Sequence, residues 1–331
     1  MTSSTLHRVA FVAVLVAFAV IVLGAYVRLS HAGLGCPDWP GCYGELTWPV
    51  EPDAVAAANS AFPERPVDVG KAWKEMVHRY LAGFLVLLVV AINVLAWRPG
   101  GTANVRALAG SILALILFQA ALGMWTVTLK LKPIIVMAHL LGGLATFSLL
   151  LWLTLGTGRN AAPARRPYRR FRGMILIGLA VLVLQLALGG WTSANYAALA
   201  CPDFPTCQGQ AWPPMNFRDA FVLWREIGVD YEGGVLDLPS RTAIQMTHRM
   251  WALAVVTVLG LLAFGLLRDR ATRPGGALLG ALLAAQVTLG ILNVWLFLPL
   301  PNAVAHNGTG ALLLAAMVWL LHRARGPNPR P

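Results

Sequence analysis

The sequence has little charge and few acidic residues. Only 12% of its 331 residues are charged, with 14 acidic against 26 basic residues, and 57% are hydrophobic. The mean hydropathy is +0.65, a value that soluble domains do not reach. The scarcity of charge therefore excludes a soluble globular protein, and the long apolar runs described next predict an all-α integral membrane protein.

Eight apolar runs are long enough to cross a bilayer as helices, which requires about 20 mostly apolar residues each. The first run is longer than the apolar region of a signal peptide, about 7–15 residues, and lacks a clear small-residue cleavage site. We therefore expect it to be retained as the first transmembrane helix. The predicted helices cover residues 9–27, 76–97, 107–128, 134–156, 173–192, 244–267, 276–297 and 303–321.

The net charge of +12 is unevenly distributed along the chain. If both termini lie on the inner side, the inner segments hold 15 of the 26 basic residues and a single acid, Asp269. This positive-inside bias predicts that the N- and C-termini are cytoplasmic. The basic segment 158–172 is expected to contact anionic lipid headgroups. Neither a nucleic-acid-binding fold nor an aromatic pattern accompanies the charge, so no nucleic-acid partner is expected.

The two halves of the chain repeat one another. LGAYVRLSHAGLGCPDWPGCYG at 23–44 aligns with LGGWTSANYAALACPDFPTCQG at 188–209, at a constant offset of 165 residues. We expect two duplicated four-helix bundles, formed by residues 1–157 and 173–331 and joined by the basic linker 158–172. Because each half has an even number of helices, the repeats should be parallel and related by an axis along the membrane normal.

Cysteine is scarce, and no Cys-x-x-Cys motif is present. The duplication favours pairing Cys36 with Cys42 and Cys201 with Cys207, in predicted outer segments where disulfides persist. One interpretation is a structural staple that holds each loop over its bundle. The other is a redox-active dithiol, although redox pairs usually lie closer together in sequence. Because His31 is the sole outer histidine near these cysteines, a zinc site is not expected.

Four histidines lie at matching places, near the predicted outer ends of the even-numbered helices: His78, His139, His248 and His306. One such residue could reach the membrane interface by snorkelling. Four in one layer indicate a functional site, because ionisable residues inside a membrane face the protein interior or a cavity. Two facing imidazoles in an apolar bundle suit bis-histidine ligation of haem iron, with copper or another metal as the alternative.

The two halves differ beside these histidines. Glu75 lies three residues before His78 and shares its helix face, whereas the residue that matches Glu75 before His248 is Gln245. A carboxylate in one half alone predicts that the N-terminal half is catalytic and that the C-terminal half holds a permanent cofactor. The alternative is that Glu75 forms a surface ion pair with Lys71, Lys74 or Arg79.

Three arginines lie at the outer ends of predicted helices: Arg28, Arg79 and Arg249. A guanidinium at this level could pair bidentately with a haem propionate. The alternative is a basic flank that extends to the membrane interface.

Taken together, the two cysteine loops, the Glu-x-x-His-Arg segment at 75–79 and the matching Ala-His pairs at 138–139 and 305–306 resemble the haem A synthase family of bacteria and mitochondria. The resemblance covers nearly the whole chain. It implies an oxidoreductase of the bacterial plasma membrane that converts haem O to haem A, for cytochrome oxidase biogenesis. In that reaction the C8 methyl of the porphyrin is oxidised to a formyl group.

The resemblance also implies roles for individual residues. His248 and His306 would bind the iron of a resident haem b, and His78 and His139 would receive the substrate haem O. Glu75 would be the catalytic carboxylate. Haem O synthase, a prenyltransferase, is the expected upstream partner, and a membrane quinone is one candidate for the electron acceptor.

Two other functions stay open on the sequence alone. One is a di-haem b-type electron-transfer cytochrome, and the other is a thiol–quinone oxidase that uses the outer cysteine pairs. The difference between Glu75 and Gln245 favours the synthase, because an electron-transfer protein has no need of a single carboxylate.

Overall fold

The structure is a computed structural model that describes residues 2–158 and 167–325. In this part of the chain the regular structure is helical, apart from two isolated β-bridges. The helices are α1 Thr2–Leu29, α2 Pro52–Ala61, α3 Val69–Ala96, α4 Ala103–Thr128, α5 Pro133–Thr157, α6 Arg172–Ala194, α7 Phe217–Ala220, α8 Leu238–Leu267, α9 Arg273–Trp295 and α10 Leu300–Arg323, with a 3-10 turn at Pro167–Phe171 before α6.

Eight of these helices, all except α2 and α7, are long and apolar enough to cross a membrane. The predicted all-α integral membrane class is confirmed, and the chain is a multi-pass membrane protein. A helix satisfies its backbone hydrogen bonds internally, which is what the bilayer core requires. The short helices α2 and α7, which the apolar runs did not predict, lie in the two segments that carry the cysteines.

Two of the spanning helices begin farther out than their apolar runs. α3 starts at Val69 rather than at 76, and α8 starts at Leu238 rather than at 244. Polar caps explain the extra turns: the side chain of Asp68 accepts from the N–H of Lys71, and that of Asp237 accepts from Ser240, each at 3.0 Å. The histidines of these helices therefore lie in the third turn, deeper than the first or second turn that the sequence predicts.

The spanning helices pack as two rings. In the first ring α1 contacts α3 and α5, and α4 joins α3 to α5. In the second ring α6 contacts α8 and α10, and α9 joins α8 to α10. The rings meet along α1, α5, α6 and α10. Apolar side chains such as Ala13, Leu150, Leu259 and Met317 form one continuous buried cluster across both rings.

Irregular backbone features recur in both halves at nearly the same offset. Left-handed, non-glycine residues occur in matched pairs 165 or 167 positions apart: His31 and Tyr196, Tyr43 and Gln208, Lys130 and Phe297, and Leu131 and Leu298. Such residues are uncommon, so the matched positions are consistent with the predicted duplication into two bundles. Most of the predicted basic linker 158–172, namely residues 159–166, lies outside the described residues.

Candidate functional site

Each of the four histidine rings packs against a glycine on the preceding helix of its ring. His78 faces Gly24, His139 faces Gly123, His248 faces Gly189 and His306 faces Gly290. A β-carbon at position 24 would lie 2.9 Å from Cε1 of His78, and one at position 189 would lie 3.2 Å from Cε1 of His248. The missing side chain thus makes room for the imidazole between two closely spaced helices.

The histidines form one pair in each half. His78 on α3 and His139 on α5 belong to the first ring, and His248 on α8 and His306 on α10 belong to the second. All four residues are half-buried. The Nδ1 atoms of three of them, His78, His139 and His306, are buried without a hydrogen-bond partner. Binding of an external group between the two imidazoles of each half stays a prediction.

Amide side chains distinguish the two pairs. Nε2 of Gln185 lies 3.2 Å from Nδ1 of His248, and Nε2 of Gln286 lies 3.3 Å from Nε2 of His306. In the N-terminal half the residue that matches Gln185 is Val20, and the amide nitrogen of Gln119, which matches Gln286, has no partner. Among the described residues, a side-chain amide therefore contacts each C-terminal imidazole, and no such contact is made to the N-terminal imidazoles.

Glu75 is buried near the outer end of α3, with 5% of its surface exposed. Its carboxylate accepts a hydrogen bond from the backbone N–H of Cys36 at 3.0 Å and pairs with Arg79 at 2.5 Å. The ion pair with Arg79 that the sequence offered as an alternative does form, but it is buried rather than at the surface. The matching Gln245 is also buried, and its side-chain oxygen has no partner.

Two of the three candidate propionate arginines contact the cysteine loops. Nη1 of Arg79 donates to the carbonyl of Asp38 at 3.0 Å, and also to those of Pro40 and Gly41. Arg249 donates to the carbonyls of Cys201 and Thr206 in the other half, both at 2.9 Å. Each arginine therefore fastens a loop to the helix that carries a histidine.

Arg28 lies where the halves meet. It donates to the carbonyl of Ser193 at 2.6 Å, and its guanidinium stacks on the ring of Tyr196 at 4.1 Å from the centroid. The Nε atoms of Arg28 and Arg249 are buried without a partner. Both groups thus retain a donor for a ligand, and binding of a propionate by these arginines stays a prediction.

Both predicted disulfides are present, between Cys36 and Cys42 and between Cys201 and Cys207, and all four cysteines are fully buried. Burial of the sulfur atoms fits a structural staple better than a redox couple, which must be accessible to its partner.

An aspartate closes each cysteine loop from within. Asp38 accepts from the N–H groups of Tyr43 and Gly44, both at 2.7 Å. Asp203 does the same in the second loop, where the hydroxyl of Thr206 and then the backbone N–H groups lower the pKa of its carboxyl. The aspartate of each Cys-Pro-Asp motif is therefore structural, a role that local side-chain to backbone bonding explains.

The outer segment of the C-terminal half reaches over the N-terminal half. Arg65 pairs with Glu232 at 2.7 Å across the halves. The same segment brings the ring of Trp224 to 3.5 Å from the ammonium of Lys132, just before α5. Sequence reasoning missed Lys132, although the signal was available, because its repeat partner at an offset of 167 is the uncharged Pro299.

Comparison with known proteins gives one consistent family. Residues 7–318 match the family model described as cytochrome oxidase assembly protein. A heme A synthase of Shewanella oneidensis is 46% identical over 302 residues, which cover 91% of this chain and 91% of that protein. Heme A synthases of Novosphingobium aromaticivorans and Sphingopyxis alaskensis are each 30% identical, over 96% and 93% of this chain and 94% and 89% of their own lengths.

Proposed function

Because the chain belongs to the cytochrome oxidase assembly protein family, we propose that it is a membrane oxidoreductase that converts haem O to haem A. The relationship to the heme A synthases carries this proposal. The reaction oxidises a methyl group of the porphyrin to a formyl group. Its balance requires the loss of four electrons and four protons, with water supplying the aldehyde oxygen. A membrane electron acceptor such as a quinone would take the electrons.

The N-terminal half is proposed to bind the substrate, with His78 and His139 as the iron ligands of haem O. Glu75 supports this choice, because it is a buried carboxylate on the same helix face as His78. There it can accept protons as the methyl group is oxidised and can stabilise positive charge that develops nearby. Burial strengthens both effects, because a charge interacts more strongly where water is excluded.

The C-terminal half is proposed to hold a resident haem b between His248 and His306. The fit rests on the two paired imidazoles, on the unpartnered Nδ1 of His306 and on the amides of Gln185 and Gln286, which orient the rings. When bound, haem b supplies a one-electron carrier. A site preorganised by neighbouring amides suits a permanent group better than one that must exchange substrate and product.

The orientation proposed is the positive-inside one, in a bacterial plasma membrane with both termini cytoplasmic. Both disulfides then lie on the outer, oxidising side, which supports this orientation. Haem O would arrive from a haem O synthase in the same membrane. Residues 1–157 would form the substrate half, and 173–331 would form the resident-haem half.

The test is production of haem A in a bacterium that makes haem O but has no haem A. Expression of the chain should yield haem A in the extracted pigments, resolved by chromatography, together with resident haem b in the purified protein. The matched control is His78→Ala, which should leave haem O unconverted. Two haems b at full occupancy with no haem A would contradict the proposal and would favour the electron-transfer cytochrome.

A further inference from the structure

Lys132 carries a positive charge that is buried in the folded chain. The side chain is 1% exposed, and its ammonium has no hydrogen-bond partner within residues 2–158 and 167–325. The ammonium lies over the face of Trp224, 3.5 Å from the ring centroid, in a cation–π contact. Burying an ammonium without an anion or acceptor is costly, so an unsatisfied group of this kind indicates a partner supplied from outside the chain.

The backbone at this position also favours an anion. Lys132 is the N-cap residue of α5, and its side chain, which has donors only, cannot cap the N–H groups of the first turn. The first turn of α5 contains no acidic residue. The N-terminus of a helix carries a partial positive charge, which attracts a carboxylate or phosphate group. The charge of Lys132 and the partial charge of the helix N-terminus therefore both favour binding of an anion.

The position of Lys132 relative to His139 suggests which anion binds. Lys132 immediately precedes α5 and His139 is the seventh residue of that helix, which separates the two positions by about 10 Å along the helix axis. If the iron of a porphyrin is bound to His139, one of its propionate arms can reach across this distance to Lys132. The matching position before His306 is Pro299, so the arrangement exists in the N-terminal half alone.

We propose that Lys132 binds a propionate carboxylate of the substrate haem. This inference rests on the proposed function, which assigns the substrate to the N-terminal half. A porphyrin held only at its iron can rotate about the iron–histidine bond. A second anchor at the carboxylate stops that rotation and determines which edge of the ring faces Glu75. Lys132 is thus a substrate-binding residue that selects the methyl group to be oxidised.

The experiment compares haem O with its dimethyl ester, in which both carboxylates are neutral. Each compound is titrated into the purified protein in detergent, and its dissociation constant is read from the absorbance change. Wild-type protein should bind the ester about tenfold or more weakly than the free acid, the effect of losing one buried charged contact. Lys132→Met should lose most of this preference for the free acid, and Lys132→Arg should keep most of it.

Lys130→Met is the matched control, because it removes the same charge two residues away and should keep the preference of the wild type. The proposal is overturned if the wild type binds acid and ester equally, or if Lys132→Met prefers the acid as strongly as the wild type does. Either result would also be expected if the ammonium instead binds a lipid phosphate. Failure of the proposed function would give a different result, because haem O would then bind to the protein without being converted to haem A.

Discussion

The carboxylate of Glu75 lies 2.5 Å from Nη2 of Arg79, one helical turn farther along α3. Both residues are also bonded to the first cysteine loop, Glu75 to the N–H of Cys36 and Arg79 to the carbonyls of Asp38 and Pro40. The loop, the ion pair and the helix that carries His78 therefore form one connected unit. The position of the proposed catalytic carboxylate depends on the geometry of a disulfide-closed loop.

The two disulfides should therefore differ in their effect on activity. Cys201→Ala, in the C-terminal loop, should lower the yield of folded protein, because loss of a disulfide often costs about 2–4 kcal/mol, but it should leave the turnover of the surviving protein nearly unchanged. Cys36→Ala should lower both, because the opened loop no longer fixes the backbone N–H of residue 36 against the carboxylate of Glu75. Yield and haem A formed per folded molecule are measured together. Full yield with abolished turnover in Cys201→Ala would favour a redox role instead.

The glycine beside His248 should be required for haem binding. Gly189→Val would place a branched side chain where a β-carbon already lies 3.2 Å from the imidazole, so the ring must move. We expect a loss of about 1–3 kcal/mol in stability from the overpacking and a lower haem b content. Gly260→Val, in α8, is the matched control, because a β-carbon there meets nothing within 4 Å. The haem b absorbance of the two purified variants checks the difference, and equal absorbance would contradict it.

Much of this architecture could be predicted from the sequence. The apolar runs predict eight spans because the bilayer fixes the length of a helix, and the duplication predicts the pairing of Cys36 with Cys42. The helix starts at Val69 and Leu238 could not be predicted from hydropathy, because polar caps rather than apolar residues define them. The hydrogen bonds from Arg79 to the loop carbonyls could not be predicted from sequence spacing, because they depend on the folded shape of the cysteine loop.

Lys132 illustrates a different limit. Lys132 in one repeat corresponds to Pro299 in the other, and this difference is visible in the sequence. It is the same kind of signal as the difference between Glu75 and Gln245. A lysine next to a predicted span is, however, most often solvated at the interface. Its burial results from the segment around Trp224, which belongs to the other half of the chain, and only the fold brings the two together.

The resident haem should depend on the C-terminal histidines. His248→Ala or His306→Ala removes one of the two proposed iron ligands, so the purified protein should contain much less haem b. The same substitution at His78 or His139 should keep haem b and lose the conversion of haem O. Haem content per protein, measured by absorbance after extraction, checks all four variants. Unchanged haem b in both C-terminal variants would contradict the assignment of the two halves.

Glu75→Gln is the sharpest test of the catalytic half, because the chain supplies its own control at the matching position. Gln245 is buried at 6% exposure in the other half, so the fold tolerates a glutamine there. The amide oxygen can still accept from the N–H of Cys36, and we expect the variant to fold and to bind haem. It loses the negative charge, and with it the capacity to accept a proton.

A positioned acid–base group contributes about 10²–10⁴-fold to a rate, and we expect haem A formation by Glu75→Gln to fall by that order. Haem O or a partly oxidised, hydroxylated haem should accumulate in its place. Haem A formation by Glu75→Asp should fall between that of the wild type and that of Glu75→Gln, because aspartate keeps the charge but withdraws it by one methylene. The extracted-haem profile of cells that make each variant is the measurement. Normal haem A from Glu75→Gln would reduce Glu75 to the structural partner of Arg79 and would remove the basis for calling the N-terminal half catalytic.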